Sequence, residues 1–147
     1  MADFRIDGMK ELESMFKQLE KVPQTVATKA ARAGATIPLK AAREDAPEDD
    51  GDLKKGIILK RERKVKVGKA VYGVMMDPAK NDIFVKTSAD GKRSYYPASM
   101  EYGFLTVDGG YVPGYHFMRN ALEDNKVAVE KKVLDTAKVA VEKILKG

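Results

Sequence analysis

A chain of 147 residues, 44% hydrophobic and 33% charged, has the apolar content of one folded domain spanning 1–147 and too much of it for a disordered tail. It contains no cysteine and no tryptophan, which excludes disulfides, thiolate metal sites and cysteine nucleophiles. The net charge of +5 is local: residues 1–52 carry 8 basic and 11 acidic groups, residues 53–76 carry 8 and 1, and residues 77–147 carry 11 and 10, so the excess belongs to one short ribbon.

The opening stretch MADFRIDGMKELE is acidic and amphipathic, unlike a secretory leader, and no apolar run approaches the ~20 residues that span a bilayer. The expectation is a soluble protein made in the cytoplasm, with no membrane partner. Asp7 is the expected N-cap of a first helix in which Ile6, Met9, Leu12, Phe16 and Leu19 recur at helical spacing, ending near Val22-Pro23. A second helix is expected from Pro23, a residue suited to a first turn, to Pro47. Its face is small (Val26, Ala27, Ala30, Ala31, Ala33, Ile37, Ala41, Ala42), and Pro38 should kink it.

Residues 46–57 read as a loop crowded by Asp45, Glu48, Asp49, Asp50 and Asp52. Their spacing does not match the helix–loop–helix calcium pattern, which favours a solvated acidic loop. The run 56–67 alternates as a strand with one polar face. Gly68-Lys69 turns the chain into a second strand at 70–76, and DIFVKT (82–87) and Lys92–Tyr96 read as a third and a fourth around a turn. PASMEYG (97–103) suits one or two helical turns with Gly103 as the stop, and LTVDGGYVPGYH (105–116) reads as a loop. A long last helix, roughly 117–145, carries the apolar stripe Met118, Ala121, Leu122, Val129, Val133, Ala137, Ala140, Val141 and Ile144.

His116 is the sole histidine, and a catalytic histidine needs an orienting acid and a reacting partner. Glu101 is a candidate acid that the sequence cannot place beside it. No phosphate-binding loop, nucleophile elbow, zinc-protease or dinucleotide motif occurs, so neither a catalytic site nor a cofactor is expected. The stretch PGYHFMRNALE (113–123) reads instead as a latch that seats the last helix. Pro113 and Gly114 redirect the chain, Phe117 and Met118 insert, and Arg119 is expected to meet Glu101 in a bidentate pair.

Three segments in order carry a resemblance: Ala46-Pro47 with Gly51-Asp52-Leu53 and Gly56-Ile57; Met100-Glu101-Tyr102-Gly103; and Phe117-Met118-Arg119-Asn120-Ala121-Leu122. Together they are similar to a family of small head–tail joining, or tail-completion, proteins of long-tailed bacteriophages and prophages. Phe104, His116 and Asn120 stand where that family usually has threonine, proline and proline, and Pro38 interrupts the second helix. The resemblance implies an α+β fold, with an antiparallel sheet of about four strands packed against N-terminal helices and a long C-terminal helix. It implies a structural role without catalysis, with Glu101, Gly103, Phe117, Met118 and Arg119 as structural residues. It implies a homo-oligomeric ring, probably of six subunits, at the head–tail junction of a virion. Neck, tail-terminator or tail-tube proteins would be its neighbours, with genomic DNA passing through the lumen. A tail terminator on a similar fold is the alternative within this class.

The basic ribbon supports a different reading. Lys60, Arg61, Arg63, Lys64 and Lys66 are candidate contacts to DNA or to a partner, as in a small basic DNA-binding module. Aromatic residues for base stacking are absent from 54–69, which argues against single-strand recognition.

Overall fold

The computed structural model describes residues 9–48 and 51–147, and the backbone alone at 9–16 and 18. The expected cap at Asp7, the side chains of Ile6, Met9, Leu12 and Phe16, and the loop acids Asp49 and Asp50 therefore lie outside the described residues.

The two expected N-terminal helices are one. Helix α1 runs from Met9 to Asp45 with Pro23 and Pro38 inside it. Each proline lacks the N–H that would bond the carbonyl four residues back, so Leu19 and Gly34 lose their helical donors. The helix continues because α6 and α5 pack along it, and tertiary packing outweighs a local defect. Gly34 marks the closest approach: a Cβ built there would overlap the Val133 side chain of α6.

After α1 the acidic segment is not wholly loop. Gly51 turns in the left-handed region (φ 79°), and Asp52–Lys55 form a single turn, α2, pinned by Leu53, which is buried. Lys54 Nζ pairs with Glu48 at 2.6 Å, and this contact holds the Glu48 carboxyl below its ordinary range.

Strand β1 (Ile57–Arg61) pairs antiparallel with β2 (Tyr72–Met76), Ile57 opposite Met76 and Arg61 opposite Tyr72. The expected third strand begins as helix. Asp77 accepts the Ala79 N–H at 3.0 Å and opens a 3-10 turn at Pro78–Lys80, which leads into α3 (Asn81–Phe84). Strand is left only at β3 (Val85–Thr87), paired with β4 (Arg93–Tyr95). Helix α4 (Tyr96–Tyr102) follows, and then a hairpin, β5 (Gly103–Leu105) and β6 (Tyr111–Pro113), stands where a loop was expected. The fold is mixed helix and antiparallel strand. In place of one sheet of about four strands, the described residues form three separate two-stranded ladders. Helical turns between the ladders deliver Phe84 to the core, where its ring meets Tyr95 edge-on at 6.3 Å.

The C-terminal helix is divided. Helix α5 (Phe117–Glu123) ends where Asn125 Nδ2 donates to the Ala121 carbonyl at 2.9 Å, and α6 runs from Lys126 to Lys146. The break explains why the apolar stripe is not uniformly covered. Met118, Val129 and Val133 of that stripe are half-buried and Ala140 is buried, but Leu122 and Ile144 are exposed. The core is compact: Ala42, Ala46, Leu53, Ile57, Phe84, Phe117 and Ala121.

Candidate functional site

The structure brings Glu101 and the start of α5 together, but not through the Arg119 guanidinium. Glu101 is buried, and its two carboxylate oxygens accept the backbone N–H groups of Met118 (2.9 Å) and Arg119 (3.0 Å). These are second- and third-position amides, among the donors that a helix start leaves without a helical partner. A side chain from 17 residues away thus acts as the helix cap, where the residue at the cap position, His116, offers no side-chain bond. The Arg119 side chain points elsewhere, with Nε 4.0 Å from Glu123 one turn on. The expected fork between Glu101 and Arg119 is corrected to a carboxylate on two amides.

Backbone contacts complete the latch. The N–H groups of Tyr115 and His116 donate to the carbonyls of Met100 (2.8 Å) and Glu101 (3.1 Å). Two glycines allow this approach. Gly103 sits at φ 88°, ψ −179°, a conformation open essentially only to glycine, and a Cβ on it would overlap the Val112 carbonyl. A Cβ on Gly114 would overlap the Glu101 carbonyl. Phe117 is almost wholly buried beside them.

His116 adopts left-handed geometry (φ 51°, ψ 34°), one of the residue types that tolerates it. Its Nδ1 is buried without a hydrogen-bond partner among the described residues. The Glu101 carboxylate is spent on amides rather than on the imidazole, so the orienting geometry of an acid–histidine pair is not assembled.

The basic ribbon lies mostly outside the ladder. Lys60 and Arg61 close β1, while Arg63, Lys64 and Lys66 occupy the exposed β1–β2 connection. Gln24 of α1 anchors that connection: its Oε1 accepts the Gly68 N–H at 2.8 Å and its Nε2 donates to the Lys69 carbonyl at 3.0 Å. A shallow cavity of about 540 Å³ opens there, lined by Gln24, Lys60, Arg61, Glu62, Arg63, Val65 and Lys69. Sequence reading missed Gln24, because a helical glutamine has no pattern that marks it as a tether.

Two apolar features stand outside the core. The β5–β6 hairpin exposes Phe104, Leu105, Val107, Tyr111 and Val112. At its tip Asp108 is fully exposed, and the Thr106 hydroxyl, followed by local amides, holds its carboxyl below the usual range. A groove of about 480 Å³ lies between β2, α4 and α5, lined by Tyr72, Gly73, Val74, Tyr102, Met118 and Leu122 among others.

Among the described residues, no helix is long and apolar enough to cross a membrane, and no cluster of acidic and histidine side chains is arranged to hold a metal ion. Compared with family models, curated proteins and solved structures, the chain matches none.

Proposed function

We propose that this chain is a structural subunit of a long-tailed phage, completing the tail and joining it to the head as part of a ring at the head–tail junction. The observation that carries the reading is the meeting of its three family-like segments at one place. Ala46, Leu53 and Ile57 from the first, and Phe117 and Ala121 from the third, share one core, and Glu101 from the second caps the helix that starts with the third. The motifs are largely architectural: Ala46, Leu53, Ile57, Phe117 and Ala121 are spent on packing and Glu101 on capping, as in a protein whose task is to hold shape.

The exposed apolar hairpin fits a subunit whose remaining apolar surface is covered on assembly. The ring would be built in the host cytoplasm and carried in the virion, touching neck, tail-terminator or tail-tube proteins, with DNA in its lumen. A tail terminator on a similar fold accommodates the same surfaces. Deleting the gene from its phage or prophage is the test: tails assembled without the protein fail to join heads or end abnormally, visible by negative stain, and particle yield falls. Unchanged infectivity sinks the proposal.

The exposed cations of the β1–β2 connection favour a second reading, DNA binding. Phosphate neutralisation by Lys60, Arg61, Arg63, Lys64 and Lys66 supplies dissociation constants of roughly 10⁻⁴–10⁻⁶ M at physiological salt, with steep salt dependence. Arginine and lysine can contact guanine, but the ribbon lacks the asparagine and glutamine that read adenine. Fluorescence anisotropy with two unrelated duplexes is therefore expected to show weak, equal, salt-sensitive binding. Nanomolar affinity for one duplex that persists at high salt establishes the DNA-binding reading instead.

A further inference from the structure

We propose that the β5–β6 hairpin of one copy docks on the open edge of β2 in a second copy, adding β5 as a third antiparallel strand. The inference rests on the self-assembly in the function proposed above and names the surfaces that perform it.

The two edges of the β1–β2 ladder differ. On the β1 side the Arg43 guanidinium donates to the Ile57 carbonyl through Nε (3.1 Å) and Nη2 (2.7 Å), so a group that faces outward is already occupied. On the β2 side no side-chain bond to an outward-facing group is seen among the described residues. The Glu62 N–H donates to the Val71 carbonyl, and the Asp77 N–H donates to the Gly56 carbonyl. In an antiparallel ladder this parity turns Val71, Gly73, Met75 and Asp77 toward β1 and leaves the N–H and C=O groups of Tyr72, Val74 and Met76 pointing away. Among the described residues no strand pairs with that edge, and the groove of about 480 Å³ runs beside it. Gly73 adds no side chain to obstruct it, and Met118, Leu122 and Tyr102 supply apolar walls.

The hairpin has the complementary edge. The Thr106 N–H donates to the Gly110 carbonyl at 2.8 Å, which sets Phe104 and Val112 toward each other and turns the backbone groups of Leu105 and Tyr111 outward. Along β6 the outward row reaches Pro113, which has no N–H to offer. On β5 the Gly103 N–H is taken by the Ser99 carbonyl, but the row continues through Leu105 to Val107, whereas on β6 the Gly109 N–H is spent on the Thr106 carbonyl, so β5 is the better donor strand. Phe104, Leu105, Val107 and Tyr111 are exposed, Leu105 by 77% and Val107 fully. With Val112 they present on the order of 600 Å² of side-chain surface, near the ~800 Å² that each partner brings to a standard interface.

Parity and charge narrow the register. Outward groups pair with outward groups, so Leu105 can lie opposite Tyr72, Val74 or Met76, and the proposed register takes Val74, the centre of the edge. Running antiparallel, β5 then carries Asp108 toward Val71, beside Arg61 and the basic connection, whereas a parallel run carries it toward Asp77. Residues 103–113 hold one acid and no cation, so the hairpin is the oppositely charged partner of the ribbon it approaches. Such a contact joins two different surfaces head to tail, and repeated, it closes a ring or runs on as a filament.

The absence of natural cysteine makes the test direct. In this register Gly73 and Thr106 form a non-hydrogen-bonded pair with Cα atoms ~4.5 Å apart, within disulfide reach. Full-length Gly73→Cys and Thr106→Cys proteins, each checked for native circular dichroism, are mixed and mildly oxidised. The expected result is a disulfide heterodimer in the mixture, at a yield at least tenfold above the homodimers of either protein alone. Leu105→Pro added to the Thr106→Cys protein removes the outward N–H and leaves the β5–β6 bonds in place, so it should cut that yield at least tenfold. Absence of the heterodimer overturns the proposal, and so does a yield indifferent to Leu105→Pro. Sedimentation of the wild-type chain separates the two readings: oligomers without this disulfide leave ring assembly standing on another interface, and a monomer at every concentration overturns the hairpin contact while gene deletion still judges the structural role.

Discussion

Glu101→Ala should lower the stability of the fold by about 2–4 kcal/mol, which for a chain of this size moves the thermal midpoint by roughly 10 °C. Alanine removes the acceptor of two amides at a buried helix start and leaves a hole beside Phe117. Hydrogen bonds to a charged acceptor are worth about 1.5–3 kcal/mol each, and an unsatisfied buried donor carries its own desolvation cost. Glu101→Gln keeps one oxygen for one amide and places an NH₂ against the other, so it should lose a large part of the same stability despite its matching size. Arg119→Ala should have little effect, since the Arg119 side chain is half-exposed and only its backbone meets Glu101. Thermal unfolding of the three variants by circular dichroism checks the ranking. A loss on Arg119→Ala equal to that on Glu101→Ala would restore the guanidinium pair that the geometry replaces.

Gly114→Ala is expected to be at least as damaging, at about 3 kcal/mol or more, and to do its harm through the backbone. The added Cβ overlaps the Glu101 carbonyl and crowds the Gly103 nitrogen, neither of which is the end of a flexible side chain. Relief requires the Tyr115–Met100 and His116–Glu101 backbone bonds to lengthen, and the α5 cap moves with them. Gly103→Ala adds the cost of its φ of 88° to a similar clash. Gly91→Ala serves as the control: it shares the positive φ, but a Cβ there meets nothing within 4 Å, so only the smaller conformational cost of about 1 kcal/mol applies. Chemical denaturation measures all three, and a Gly114→Ala protein as stable as the Gly91→Ala control would show that the latch is looser than its geometry.

The latch was legible in outline from sequence because its parts are local. Pro113-Gly114 ends one element, Phe117 and Met118 begin another, and Glu101 and Gly103 sit in a short helical segment with a stop. What periodicity could not supply was the acceptor's target: a carboxylate at the penultimate position of a short helix has an arginine and two backbone amides as equal candidates until the chain is folded. The N-terminal break was misread because Pro23 fits a first turn as well as an interior defect, and long-range packing on α6 decides between them. Strand length was overread at 82–87, where Ile83 and Phe84 suit a strand but Asp77-Pro78 starts a helical turn. The hairpin at 103–113 was hidden by its own glycines: Gly109 and Gly110 form the turn of a ladder only three residues long on each side. Gln24 and Arg43, which tie loop and strand edge to α1, carry no local pattern at all.

The prolines inside α1 divide its time scales as well as its hydrogen bonds. Leu19 and Gly34 keep carbonyls without a helical donor, and Gly34 is also where α6 lies against the bare backbone. Breathing of a helix starts where its ladder is interrupted, so deuterium should enter α1 as three blocks with separate rates, bounded near residues 23 and 38. The middle block, held by Gln24 on one side and Val133 on the other, should be slow to open as long as α6 stays in place. The long helix should then open in sections while the sealed corner around Glu101 stays shut.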